Sequence, residues 1–184
     1  VVPSSRVVSL KGKSLQYGLQ AFVAPTASVV GDVKMGELAS VWYGATVRGD
    51  AGAVTIGSNT AVQDCAVVSG TPGSPATIGN NVTIAPGSVV SAATIEDGAM
   101  VGMGARVLPG AVVGKNAFVD AGAVVLAGAN IPSGELWTGN PAAKLRALST
   151  EEVEYLHHTA EVNASLSQQH YEETSKSVEE MEAD

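Results

Sequence analysis

IEDGAM VGMGAR VLPGAV VGKNAF VDAGAV VLAGAN I, residues 95–131, repeats itself every six positions. An aliphatic residue stands at Ile95, Val101, Val107, Val113, Val119, Val125 and Ile131, and an alanine follows each of the first six by four places. A helix repeats every 3.6 residues and a lone strand every two, so a strict six belongs to neither; a coil with three flat sides and one hexapeptide per side produces it. The aliphatic then points inward on each side, and the alanine fits a corner where successive coils crowd. Gly98, Gly104, Gly110, Gly122 and Gly128, with Asn116, precede that alanine, where the corner needs a residue tolerant of positive φ.

The same register extends toward the N-terminus. Val23, Val29, Met35, Val41 and Val47 hold the aliphatic position, with Ala27, Val33, Ala39, Ala45 and Ala51 in the small one. After a slip, Ile56, Val62 and Val68 resume it; the turn-rich GTPGSP (residues 70–75) interrupts, and Ile78, Ile84 and Val90 carry it on. The step from Val90 to Ile95 is five, so one corner is short. Beyond Ile131 the period reaches Trp137 and stops at Pro141. Roughly six or seven coils are expected, stacked about 30 Å high at the ~4.8 Å spacing of neighbouring strands. The chain of 184 residues with 45% hydrophobic but only 4% aromatic residues suits such a core of small aliphatics.

The flanks divide the chain into three parts. Residues 1–20 carry Arg6, Lys11 and Lys13 without an acid and read as a solvated basic arm, with a processed presequence remnant as the alternative. Residues 21–142 form the repeat domain. In residues 143–184, Ser149 and Glu152 form a capping box, and Val153, Leu156, Ala160, Ala164 and Tyr171 fall near one face of a helix expected over 149–170, which leads into an acidic end. The net charge of −8 sits there: from Thr150 onward ten acids face one base, Lys176, and the rest is close to neutral. No basic patch offers phosphate contacts, which excludes a nucleic-acid partner. No apolar run approaches the ~18 residues of a membrane span. Cys65 is the only cysteine, so neither a disulfide framework nor a cysteine zinc site can form within the chain. The histidines, His157, His158 and His170, all fall in the C-terminal helix, and each reads as a helix-surface residue.

Four segments, VWYGATVRGD (residues 41–50), IGSNTAVQD (56–64), the IGNNVTI run from Ile78 and LWTGNPAAKLR (136–146), resemble the γ-class carbonic anhydrases. The likeness runs from Phe22 to the end, takes in the loop and the short corner, and is strongest to the γ-carbonic-anhydrase-like subunits of plant and algal mitochondrial complex I. It implies an all-β fold, a left-handed parallel β-helix with a C-terminal helix packed alongside, assembled as a trimer with sites between chains. It also places the three zinc histidines of the family on Ser69, Pro86 and Ser91, none of which is a zinc ligand of that kind. Arg48, Asp50 and Asp64 match residues that pair across the trimer interface, and Gln63 matches the one that orients the metal-bound hydroxide.

On that resemblance the expectation is a structural, catalytically silent subunit with no catalytic residue, metal or cofactor. Its partners would be sister chains in a heterotrimer and membrane-arm subunits of complex I, on the matrix side of the inner membrane. It would sit peripherally, with lipid contact through the N-terminal arm. The alternatives are a γ-type carbonic anhydrase hydrating CO2, or a hexapeptide acyltransferase.

Overall fold

The structure, a computed structural model, describes residues 7–175. They form a parallel β-solenoid of about seven turns with a C-terminal helix. Three walls run the length of the prism. Wall I stacks Val7–Val8, the first part of Ser28–Met35, the first part of Thr46–Ile56, Val67–Ser69, Val89–Ser91, Arg106–Val107 and Val124–Val125. Wall II stacks the second parts of the two long strands with Ala76–Ile78, Thr94–Ile95, Val112–Val113 and Asn130–Ile131. Wall III runs from Phe22–Val23 through Ser40–Val41, Ala61–Val62, Thr83–Ile84, Met100–Val101 and Phe118–Val119 to Glu135–Thr138.

The register is the six-residue period made solid. Ile95, Val113 and Ile131, eighteen residues apart, pair directly with one another on wall II. All are at most 1% exposed, as are Val29, Val47, Val68, Val90, Val107 and Val125 on wall I and Val41, Val62, Ile84, Val101 and Val119 on wall III. Each such side chain gains roughly 1.5–3 kcal/mol by leaving water, so every layer is held by a trio of small aliphatics and no large residue is needed. The alanines at 99, 105, 111, 117 and 123 are buried at the corners as the spacing requires.

The slip in the repeat is a bulge. Thr46–Ile56 is one strand of 11 residues that pairs through 46–48 with Val67–Ser69 and through 54–56 with Ala76–Ile78, so it turns from wall I to wall II without breaking. The register against Ser28–Met35 shifts between Gly31 and Val33. Ala51, expected in a small corner position, is therefore exposed, and Val54 fills the interior in its stead. The short corner is closed by Ala92 at φ 43°.

The ends are treated differently. At the far end Ala143–Ala147 turns back antiparallel on Glu135–Thr138, and the Lys144 ammonium pairs with Glu135 at 2.5 Å. At the near end the basic arm of 1–20 is partly built into the solenoid: Val7–Val8 pairs with Ser28–Met35, Leu15 is buried, and Gln16 bridges to Lys34. Residues 1–6 and the acidic end 176–184 lie outside the described residues.

The helix, α1 (Thr150–Ser175), opens on the capping box expected there: Glu152 N donates to Ser149 Oγ and Ser149 N to Glu152 Oε2. Arg146 forks onto the same carboxylate with two bonds of 2.7 Å. From there α1 runs back down wall III, with His157 over Gly98, Asn163 over Gln63 and Gln168 bonded to the Gln20 carbonyl. Its buried face is Leu156, Ala160, Asn163, Ala164 and Ser167. Tyr171, expected on that face, is 54% exposed, and α1 continues five residues past His170. Two of the buried positions are polar, which a reading by hydrophobic spacing passes over.

Candidate functional site

Wall I presents one outward column that gathers three of the residues singled out in the sequence. Val68 and Val90 point into the core, so Ser69 and Ser91, next along each strand, point outward. Ser69 pairs with Ser91 on one side and with Arg48 on the other. Arg48 in turn donates to Asp50 Oδ2 at 2.5 Å, within the same chain. Hydrogen bonding to the guanidinium holds the Asp50 carboxyl below the usual carboxylate range, and the same bond raises the affinity of Arg48 for its proton. The Arg48 side chain is 57% exposed, so its fork is free to reach a second carboxylate as well.

Pro86 is elsewhere. It stands at the corner between walls III and I, stacked over Asp64 through the bond from Gly87 N to the Asp64 carbonyl, 2.9 Å. Gln63 lies at the same corner, its N–H bonded to the Ile84 carbonyl. Thus the structure brings Ser69 and Ser91 together with Arg48 on one edge of wall I, and Pro86 with Gln63 and Asp64 on the other. Within one chain the three positions do not converge.

The side chain of Gln63 is turned under α1. Its Nε2 donates to Asn163 Oδ1 at 3.0 Å, and Asn163 Nδ2 reaches Thr83 Oγ1 at 3.4 Å. Asn163 is 7% exposed and has its amide engaged at both ends, so α1 holds Gln63 in place from above. Nothing in the sequence reading pointed to Asn163; the one available signal was a polar residue at the centre of the buried helical stripe.

His170 also departs from its expected surface role. Its Nδ1 lies 2.9 Å from the Tyr43 hydroxyl, and its ring packs against Trp42 at 5.1 Å between centroids, with Tyr43 at 5.6 Å and Phe22 at 6.3 Å. The aromatics of the first two coils, few as they are, build a box for the end of α1. His157 is half-buried over Gly98, and His158 alone is well exposed.

The donor set at the three positions does not fit zinc. Two neutral serine hydroxyls and a proline without a side-chain donor cannot replace imidazole. Among the described residues no group of three or more His, Cys, Asp or Glu could hold a metal ion. No chemical step is derived through a metal held by this chain.

Comparison with known proteins places the frame. The bacterial transferase hexapeptide (six repeats) family matches residues 92–127. Over 169 residues the chain is 45% identical to gamma carbonic anhydrase 2, mitochondrial, of Arabidopsis thaliana, covering 89% of this chain and 61% of that protein. It is 49% identical over 138 residues to a protein of Methanocaldococcus jannaschii named "Probable carbonic anhydrase", covering 75% of this chain and 87% of that one. The chain belongs to the γ-class carbonic anhydrase family. It spans about three fifths of the Arabidopsis relative. Among solved structures, a hexapeptide transferase family protein from Anaplasma phagocytophilum superposes with a TM-score of 0.85 at 37% identity, over 89% of this chain and 96% of that one.

These relatives correct one expectation. The missing histidines at 69, 86 and 91 led to the reading that the chain is no enzyme, yet the γ-class relatives that share its frame are named carbonic anhydrases. The physical reason is in the geometry: positions 69 and 91 stand on one edge of wall I and 86 on the other. Within this chain the three positions do not meet, so the side chains found there do not by themselves make it a non-enzyme.

Proposed function

We propose that the chain is a subunit of a carbonic-anhydrase-type trimer on the matrix side of the membrane arm of mitochondrial complex I, which it helps to assemble, with CO2 hydration as the activity of the trimer. The observation that carries this reading is the division of the site between the two edges of wall I. A site at these positions joins the Ser69–Ser91 edge of one subunit to the Pro86 edge of the next, a head-to-tail contact that gives a ring when the rotation between subunits closes. Arg48 and Asp50 on the first edge and Asp64 on the second supply charges of both signs for that contact. The names of the Arabidopsis relatives favour a mitochondrial setting. None of the described helices is long and apolar enough to cross a membrane, which accords with a peripheral position. Metal ligands would come from sister chains with histidines at the matching positions.

An acyltransferase reading lacks a base: no described histidine lies on the coils, and all three are on α1. The test is to isolate the native particle through a tag on this chain, identify its members, and assay it for CO2 hydration. Two sister chains together with membrane-arm subunits, and hydration by the isolated trimer, are expected. Recovery of this chain alone, or of a trimer that consumes acyl-coenzyme A instead, would overturn the proposal.

A further inference from the structure

Between residues 23 and 142 the coils leave two large apolar side chains exposed, Met103 at 62% and Leu126 at 50%. They stand at opposite edges of wall I. Met103 is on the corner between walls III and I, and the bond from Gly104 N to the Pro86 carbonyl sets it one row above Pro86. Leu126 is on the edge that holds Ser69 and Ser91: the pairs Val90–Val107 and Val107–Val125 set Leu108 and Leu126 one and two rows above Ser91. Leu108 is half-buried, and the exposed Arg106 stands between it and Met103 on the same row. The two edges are therefore separate apolar spots and do not merge into one patch for a single flat partner.

Both spots lie in the later coils, away from the chain's undescribed ends. Leu126 is six strands up wall I from Val8, about 29 Å at the ~4.8 Å spacing of strands, whereas residues 1–6 span at most ~20 Å. At the other end, Ser175 lies seven residues past Gln168, which is bonded to the Gln20 carbonyl beside the first strand of wall III, so residues 176–184 start about 10 Å beyond that strand. Met103 belongs to the coil four strands above it, about 29 Å away in all, nearly the full ~31 Å reach of nine extended residues. That stretch also carries Glu179, Glu180, Glu182 and Asp184, which do not suit an apolar spot.

We propose that the two spots meet between subunits: Met103 of one chain seats against Leu108 and Leu126 of the next, an apolar clasp above the level of positions 69, 86 and 91. This rests on the ring described under the proposed function. In a closed ring all chains stand at one height, so opposing Ser91 to Pro86 also opposes Leu108, one row up, to Met103, one row up. The partner is a chain of this same fold, recognised by aliphatic side chains at the positions of 108 and 126 on one side and at the position of 103 on the other. The clasp removes apolar surface from water and uses no metal, so it joins subunits whatever side chains stand at 69, 86 and 91.

The test uses the tagged full chain in its native particle, with p-benzoylphenylalanine in place of Met103, of Leu126 or, as a control, of Thr77 on the outer face of wall II. After irradiation, peptide mapping should join position 103 to the segment matching 106–108 or 124–126 in one neighbouring chain, join position 126 to the corner matching 103 in the other, and leave position 77 unjoined. Met103→Glu and Leu126→Glu should each raise about tenfold the concentration at which the trimer dissociates, with the melting temperature of the separated chain unchanged. A trimer that forms but gives no such links, or is indifferent to both glutamates, overturns the clasp and leaves the ring standing. Links from position 103 to residues 1–6 or 176–184 of its own chain overturn the clasp as well. Links between two copies of position 103, as a two-fold pairing would give, or failure to recover any trimer with the parent chain, overturn the ring and the clasp with it.

Discussion

Gln63 and Asn163, a hundred residues apart in sequence, are joined by a 3.0 Å hydrogen bond that ties the corner of the prism to α1. Asn163→Ala leaves the Gln63 amide without that acceptor and Thr83 without a neighbour. A lost buried hydrogen bond of this kind costs about 1–2 kcal/mol. Thermal unfolding should move to lower temperature, and proteolysis within α1 should speed up; Asn163→Asp, which keeps the acceptor, should recover most of the loss. An alanine variant as stable as the parent would show the bond to be idle.

Val113 is fully buried between Ile95 and Ile131. Val113→Asp places a carboxylate in an aliphatic layer with no polar partner, a cost of several kcal/mol. The variant should fail to fold or melt far below the parent by circular dichroism, whereas Val112→Asp, one place along and facing outward, should be tolerated.

The opening turn of α1 is sensitive to acid. Arg146 and the Ser149 N–H lower the Glu152 pKa to about 2 in the folded chain. Because the folded value is depressed, the contribution of Glu152 to stability is complete above its ordinary pKa of 4.5 and is lost as pH falls from there toward 2. Helical ellipticity should decline over that window in the parent. Glu152→Gln should remove the dependence that comes from this residue; a variant with the same acid profile as the parent would exclude the mechanism.

Gly98 turns its corner at φ +69°, and a methyl group there would come within 2.1 Å of Asn116 Oδ1 and 2.8 Å of His157 Cε1. Gly98→Ala must bear a left-handed backbone, roughly 1–2 kcal/mol, and the displacement of both Asn116 and His157. The expected result is a lower melting temperature with faster hydrogen exchange in the first half of α1. Gly104→Ala, equally left-handed at φ +66° but with nothing near it, should show the backbone cost alone and leave α1 unaffected.

Arg48 pairs with Asp50 on an exposed edge, so Arg48→Ala should change the melting temperature of the isolated chain little. In sedimentation of the trimer proposed above the same substitution should shift material toward smaller species. An unchanged distribution would remove Arg48 from the interface.

The prism was legible because its signal is a strict period: the aliphatic set from Val29 to Ile131, the interruption at 70–75 and the short corner after Val90 could all be counted. What escaped depended on contacts across the fold. Asn163 looked like a flaw in an apolar stripe until Gln63 and Thr83 lay beneath it. His170 looked exposed because its aromatic box comes from residues 22, 42 and 43, far away in the chain. Val7–Val8 carries too short a strand to show a period, and so it passed for part of a solvated arm. The expectation about activity failed for a different reason: it rested on the side chains at 69, 86 and 91 of this chain alone, whereas the relatives that share its frame are named carbonic anhydrases.

The long strand Thr46–Ile56, the loop at 70–75 and the tight corner at Ala92 have a use that concerns errors. A stack of nearly identical layers is prone to closing one floor too high or too low, since any aliphatic trio can sit on any other. Strands that turn between two walls, Ser28–Met35 and Thr46–Ile56, fit only against each other at the near end, and only one layer can accept a five-residue step. A chain misaligned by eighteen residues would press Asp50 or the GTPGSP loop into a flat side. These irregularities act as keyed notches, and they leave a single alignment in which every floor seats on the one below.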